Sequence, residues 1–123
     1  LQLHGGEPPH ILEELADLRV WKALHLRSAD DLRLIDEYRR AELIVADASR
    51  GGSGERCDWR LAGRAAAMHA VALAGGITPD NVAEALAIAH PAVIDCSGGV
   101  EASPGIKDYH KMIALLEKVK HHE

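Results

Sequence analysis

The sequence predicts an α/β fold, with five βα units building one parallel sheet. Three observations carry that expectation. Short apolar runs of strand length alternate five times with stretches of helical periodicity. The connections are short, and a chain that returns to the same sheet direction needs a crossover helix each time. The unusual polar and small residues gather where the apolar runs end, at one edge of the expected sheet.

The elements follow in order. Residues 1–4 alternate apolar and polar and stop at Gly5-Gly6. Glu7-Pro8-Pro9 starts a helix over residues 11–18, with Ile11, Leu12, Leu15 and Leu18 at helical spacing. Residues 20–24 form the next strand. Ser28, with Asp31 three positions on, makes a capping-box-like start to a helix reaching about residue 40. A third strand over residues 43–46 is closed by Asp47. The glycine-rich stretch 48–59 reads as a linker, a lid or a ligand loop, and the βα unit after it favours a loop within one domain. A short helix at 59–67 and a strand at 71–74 come next. Gly75-Gly76 then leads into a helix over 79–89, with Thr78 as N-cap, Pro79 in the first turn and Asp80 at the positive end of the dipole. A fifth strand at 93–95 runs into Ser97-Gly98-Gly99. Met112, Ile113, Leu115, Leu116 and Val119 stripe a last helix over 108–120.

Two architectures satisfy this alternation: an open, doubly wound, flavodoxin-like sheet, or five-eighths of a (βα)-barrel. Both place ligands at the C-terminal ends of the strands. His4, Asp47, the 51–54 loop, Gly75-Gly76, Asp95 and Ser97-Gly98-Gly99 all fall there. A glycine turn opening a helix exposes backbone N–H groups that suit a phosphate, although the same turn serves as a plain connection. Its recurrence one strand later suggests one shared anion site.

Composition narrows the function. The 123 residues allow a single modest core, and a net charge of −5 without a basic cluster excludes a nucleic-acid surface. No apolar run has the ~18 residues of a membrane span. Cys57 and Cys96 lack metal or redox spacing, so a reduced, cytoplasmic setting is expected, with no metal. His10, His69, His90 and His110 are isolated and read as surface or helix-end residues. The chain begins Leu1-Gln-Leu-His-Gly without methionine, and we expect it to be the end portion of something longer.

Strand alternation assigns the candidate chemistry. Leu43, Val45 and Asp47 share one face, as do Val93, Asp95 and Ser97, and Gln2 with His4. In a barrel these residues point inward. A carboxylate partly withdrawn from water holds its proton more readily, which suits a general acid; the same group also serves as a loop cap. Lys22 lies on the Val20 and Leu24 face and is either the charge partner of an inward carboxylate or a snorkelling lysine. Cys96 faces away from Asp95 and reads as core.

Taken together, Gln2-Leu-His-Gly5, Trp21-Lys-Ala23, Asp47, Gly51-Gly-Ser-Gly54, Asp58-Trp59, Leu73-Ala-Gly-Gly76 with Pro79-Asp-Asn-Val82, and Asp95-Cys-Ser-Gly with Gly-Val-Glu-Ala-Ser-Pro-Gly105 strongly resemble the phosphoribosylanthranilate isomerases of tryptophan biosynthesis. The resemblance runs in order along essentially the whole chain. It implies a TIM barrel, of which residues 1–123 are the C-terminal portion, the fourth to eighth βα units of a single domain. It also implies a cofactor-free Amadori rearrangement of N-(5-phosphoribosyl)anthranilate to the 1-deoxyribulose 5-phosphate product. By position Asp47 matches the family's general acid. Backbone N–H groups at Gly75, Gly76, Ser97 and Gly98 match its phosphate site, Asp95 matches its aspartate near the substrate's ribose, and His4, a polar group beside the site, is a further candidate for binding substrate or phosphate.

The departures are specific. The family's general base is a cysteine in a Lys-Ile-Cys-Gly motif, which these residues lack, and the arginine that meets the anthranilate carboxylate is also missing. Glu55 stands where Lys is usual, Cys57 where Phe is usual, and Gly98 where a second Ser is usual. The resemblance therefore implies an aldose–ketose isomerase whose 123 residues alone are weakly active or inactive, completed by further N-terminal βα units or self-associating as a homodimer. The alternative is a non-catalytic, phosphate-binding or self-associating barrel fragment.

Overall fold

The computed structural model describes residues 1–47 and 58–122. Five parallel strands, β1 (Gln2–Leu3), β2 (Trp21–Leu24), β3 (Leu43–Asp47), β4 (Val71–Ala74) and β5 (Val93–Ile94), lie in one sheet in strictly sequential order. Between and after them run α1 (Ile11–Glu14), α2 (Arg33–Glu37, entered through a 3₁₀ turn at Ala29–Leu32), α3 (Trp59–Ala66), α4 (Val82–Ala89) and α5 (Tyr109–Lys120).

Register decides which face each strand residue takes. Trp21 pairs with Leu43, Ala23 with Val45, Val45 with Ala72 and Ala72 with Val93, so these side chains share one face. They form a small cluster of Ala23, Leu43, Val45, Ala72 and Ala74, with Trp21 and Val93 packed against it. The opposite face carries Leu24, Ile44, Ala46, Val71 and Leu73 into the main core, with Leu12, Ile35, Leu61, Val82 and Leu86 from the helices. Among the described residues, helices thus cover one face only. A flavodoxin-like sheet needs a reversal in strand order and helices on both faces, so that alternative is overturned. The arrangement is the singly wound half of the two. Among the described residues, β1 and β5 are edges of the sheet and do not pair with each other.

Several boundaries differ from the sequence expectation. The first helix stops at Glu14 because the chain turns through Leu15–Leu18 hydrogen bonding, and Leu18 is exposed, so its place in the apolar period is coincidental. The second stops at Glu37. Its cap holds as expected: Asp31 Oδ2 accepts from the backbone N–H of Arg27 and Ser28 at 2.8 and 2.9 Å. The 79–89 helix starts at Val82, with Asn81 in the N-cap position. Residues 101–107 form an antiparallel hairpin of β6 (Glu101–Ser103) and β7 (Ile106–Lys107) around Pro104-Gly105. That dipeptide is a turn signal.

Lys22 is not on the inner face. It points to the helical side, 1% exposed, where Nζ donates to Gly5 O at 2.6 Å and Glu7 Oε2 at 2.8 Å and sits 5.4 Å from the Tyr38 ring centroid. Tyr38 Oη donates to Glu7 O at 2.7 Å. A buried ammonium needs partners, and here it holds the chain just beyond His4 in place.

Acid should loosen this framework. The Lys22 ammonium holds the Glu7 carboxyl below its usual range; the Arg27 and Lys111 backbone N–H groups do the same for Asp31 and Asp108. Groups with depressed folded values contribute stability above their unfolded pKa of about 4, and lose it as pH falls through the folded value. The thermal midpoint should therefore be level from about pH 7 to 5 and fall below about pH 4. Circular dichroism melts check this, and Glu7→Gln should flatten part of the acid limb.

Candidate functional site

The C-terminal strand ends build the site. β3 is paired on both sides and buried throughout, so its inner-face alternation delivers Asp47 to the rim, 8% exposed. His4 follows β1 on the same face, and its Nε2 lies 3.6 Å from Asp47 Oδ2. Gln2 Nε2 is 3.4 Å from His4 Nδ1, as expected for two residues sharing a face. A third group joins them. His25, just beyond β2, places Nδ1 3.2 Å from the Asp47 carbonyl, and its ring stands edge-on to His4 with centroids 6.2 Å apart. His25 is not among the residues singled out from the sequence, although its spacing from Ala23 puts it on the inner face by the same period of two that selects Asp47.

Beside this cluster is a cavity of about 680 Å³ lined by Asp47, Ala74, Asp95, Cys96 and the loops 75–78 and 97–99. Asp47, Gly75, Gly76, Asp95, Ser97 and Gly98 therefore open on one space, and His4 meets it through Asp47. The glycine turn has a conformational reason: Gly75 and Gly76 have φ of 81° and 67°, which side chains rarely adopt. Thr78 is not the cap expected. Its N–H donates to Asn81 Oδ1 at 2.9 Å, while Asn81 Nδ2 donates to Gly76 O at 2.8 Å. Asn81 is buried, and its amide pins the loop that walls the cavity.

The second wall is the 3₁₀ turn Gly98–Val100, stacked directly on the first loop. A Cβ on Gly99 would stand 1.8 Å from Ile77 O, so the two walls touch main chain to main chain. Cys96 donates its thiol to Ile77 O at 3.1 Å and packs against the main core, and burial pushes its thiol up. Behind the turn, Lys107 Nζ donates to Ser97 O, Ser97 Oγ and Glu101 Oε1.

Chemically the cavity combines the carboxyl groups of Asp47 and Asp95 with the main chain of two glycine-rich loops, which fits a small molecule with a protonatable oxygen and an anionic group. Among the described residues no cluster of His, Cys, Asp or Glu could hold a metal ion, and no helix is long and apolar enough to cross a membrane. The 51–54 loop, Glu55 and Cys57 lie outside the described residues.

Comparison with known proteins follows the same lines. The family model described as N-(5'-phosphoribosyl)anthranilate (PRA) isomerase matches residues 1–118. A curated N-(5'-phosphoribosyl)anthranilate isomerase of Citrifermentans bemidjiense is 42% identical over 123 residues, covering 98% of this chain and 59% of the relative. Monomers generated from a dimeric phosphoribosylanthranilate isomerase of Thermotoga maritima superpose with a TM-score of 0.85 at 31% identity, covering 98% of this chain and 59% of that one. A phosphoribosyl anthranilate isomerase in complex with reduced 1-(o-carboxyphenylamino)-1-deoxyribulose 5-phosphate superposes with a TM-score of 0.82 at 30% identity, covering 98% and 58%. The chain thus spans about three-fifths of the length of the relatives it matches.

Proposed function

The chain belongs to the N-(5'-phosphoribosyl)anthranilate isomerase family, and we propose that its residues carry the general acid and the phosphate site of that isomerisation. One observation carries the reading: Asp47 opens on the same cavity as the two glycine-rich loops. A sugar phosphate seated with its phosphate on the N–H groups of Gly75, Gly76, Ser97 and Gly98 directs its ribose toward Asp95 and Asp47.

The chemistry then follows. Asp47 in its acid form protonates the ribose ring oxygen as the C1–O bond breaks, and the aniline nitrogen's lone pair forms the C1=N bond of a protonated Schiff base. A base removes the C2 proton to give the enolamine, which tautomerises to the ketose. Protons taken and given balance, so no redox partner or cofactor is needed. His4, in contact with the Asp47 carboxylate, orients it. Residues 1–123 contain no Lys-Ile-Cys-Gly motif to supply the base. We take the base to come from further βα units, and the 123 residues by themselves to turn over weakly or not at all.

The sheet edges at β1 and β5, and the exposed Tyr109, Ile113 and Leu116 on α5, are where those units, or a second copy, would pack. Native mass spectrometry distinguishes the two.

Binding tests the site directly. Reduced 1-(o-carboxyphenylamino)-1-deoxyribulose 5-phosphate and inorganic phosphate should compete for this chain. Both should shift the amide resonances of Gly75, Gly76, Ser97 and Gly98. No saturable response to either ligand up to about 10 mM would remove the phosphate site from the proposal.

A further inference from the structure

The Lys107 ammonium occupies an uncommon place. It is held by three acceptors, Ser97 O at 3.0 Å, Ser97 Oγ at 3.2 Å and Glu101 Oε1 at 2.9 Å. Two of the three belong to one residue of the cavity wall. Ser97 O also accepts from the Val100 N–H at 3.3 Å, so its carbonyl is doubly anchored. Glu101 lies opposite Lys107 in the β6–β7 register, which brings the ammonium to the back of the 3₁₀ turn.

Two consequences follow from elementary hydrogen-bond chemistry. In a planar trans peptide the carbonyl of one residue and the N–H of the next point in opposite directions. Anchoring Ser97 O toward Lys107 therefore turns the Gly98 N–H away from it, and the charge polarises the same peptide unit so that this N–H donates more strongly. The second consequence concerns the hydroxyl. An ammonium has donors and no acceptor, so Ser97 Oγ receives a hydrogen bond from Lys107 and must aim its own hydrogen elsewhere. Ser97 and Gly98 both line the cavity.

We propose that Lys107 is a positioning residue for the phosphate site: standing behind the wall, it sets the Ser97 hydroxyl and the Gly98 N–H as paired donors toward a bound phosphate. The inference rests on the phosphate reading of the cavity. Two of its three hydrogen bonds tie the ammonium to Ser97 without help from Glu101, so the cation acts through Ser97 and its peptide.

Phosphate titrations of the 123-residue protein, followed by amide resonances together with thermal midpoints, test it. Lys107→Gln should weaken inorganic phosphate about tenfold, and Lys107→Arg should recover most of that. In a Ser97→Ala background the Lys107→Gln penalty should shrink to about threefold, because the hydroxyl share is already gone. Glu101→Gln takes the negative charge out of the same hairpin pair, keeps an oxygen acceptor and leaves the ammonium on Ser97, so phosphate affinity should hold or rise. Unchanged binding in Lys107→Gln overturns the inference, as does an equal penalty in both Ser97 backgrounds. So does a loss in Glu101→Gln as large as that in Lys107→Gln, which would make Lys107 a latch. Should Lys107→Gln unfold the hairpin, Ser97→Ala decides: it should weaken phosphate about threefold, and no change would sink the inference. A wild-type protein that ignores phosphate removes the phosphate reading itself, which separates the two failures.

Discussion

Replacing Asp47 by Asn should lower the isomerase rate by about 10²–10⁴-fold while leaving phosphate affinity within about twofold. The amide keeps the shape of the carboxyl group and its place at the end of β3, and it has no acidic proton to hand to the ring oxygen. The proposed phosphate site lies on other loops of the cavity lining, so it has no reason to respond. The measurement is single-turnover isomerisation with this chain completed by the first three βα units of a relative, paired with phosphate titrations. A variant that keeps its rate would show that ring opening draws its proton elsewhere, with His4 and His25 the nearest candidates at the rim. A variant that loses phosphate affinity along with rate would mean that Asp47 organises the wall, and the general-acid assignment would fall.

A methyl group on Gly99 should be about as damaging, by a different route. The Cβ would stand 1.8 Å from Ile77 O, 2.8 Å from Ile77 C and 3.1 Å from Thr78 Cα, all of them main-chain atoms with no side chain to swing aside. Overpacking of an ordinary core site costs about 1–3 kcal/mol, and the closeness here puts Gly99→Ala at or above the upper end. Relief comes only if the 3₁₀ turn lifts off the β4–α4 loop, which parts the two walls of the cavity. Urea unfolding should show the loss of stability, and phosphate binding should fall at least tenfold. Gly98→Ala is the matched control: nothing lies within 4 Å of a Cβ there, so stability should stay within about 0.5 kcal/mol and the N–H donor is kept. Equal tolerance at both glycines would mean that the walls move independently.

The two experiments probe features that were legible in the sequence to different degrees. Asp47 was legible, because alternation along a buried strand is local and its end is marked by the change from apolar to acidic. Gly75-Gly76 was legible for a similar reason, since positive φ demands glycine. The role of Gly99 was not: its contact is with Ile77, 22 positions away, and only the stacking of two loops creates it. Lys22 shows the limit most clearly. Its face along the strand was read correctly, but whether that face met helices or the inner cavity depended on which side the helices took. Its partner Glu7 came from a loop that the strand pattern says nothing about.

The five βα units, the helix cap at Asp31, the small-residue turns at the strand ends and the polar residues they carry follow from the order of amino acids. All of these rest on interactions within a few residues of chain. Tertiary structure alone decided the strand order, the single face covered by helices, the meeting of His25 with His4 and Asp47, and the grip of Lys107 on Ser97. Each needs two segments brought together by register and packing, and a period of two names two faces without saying which of them will be covered.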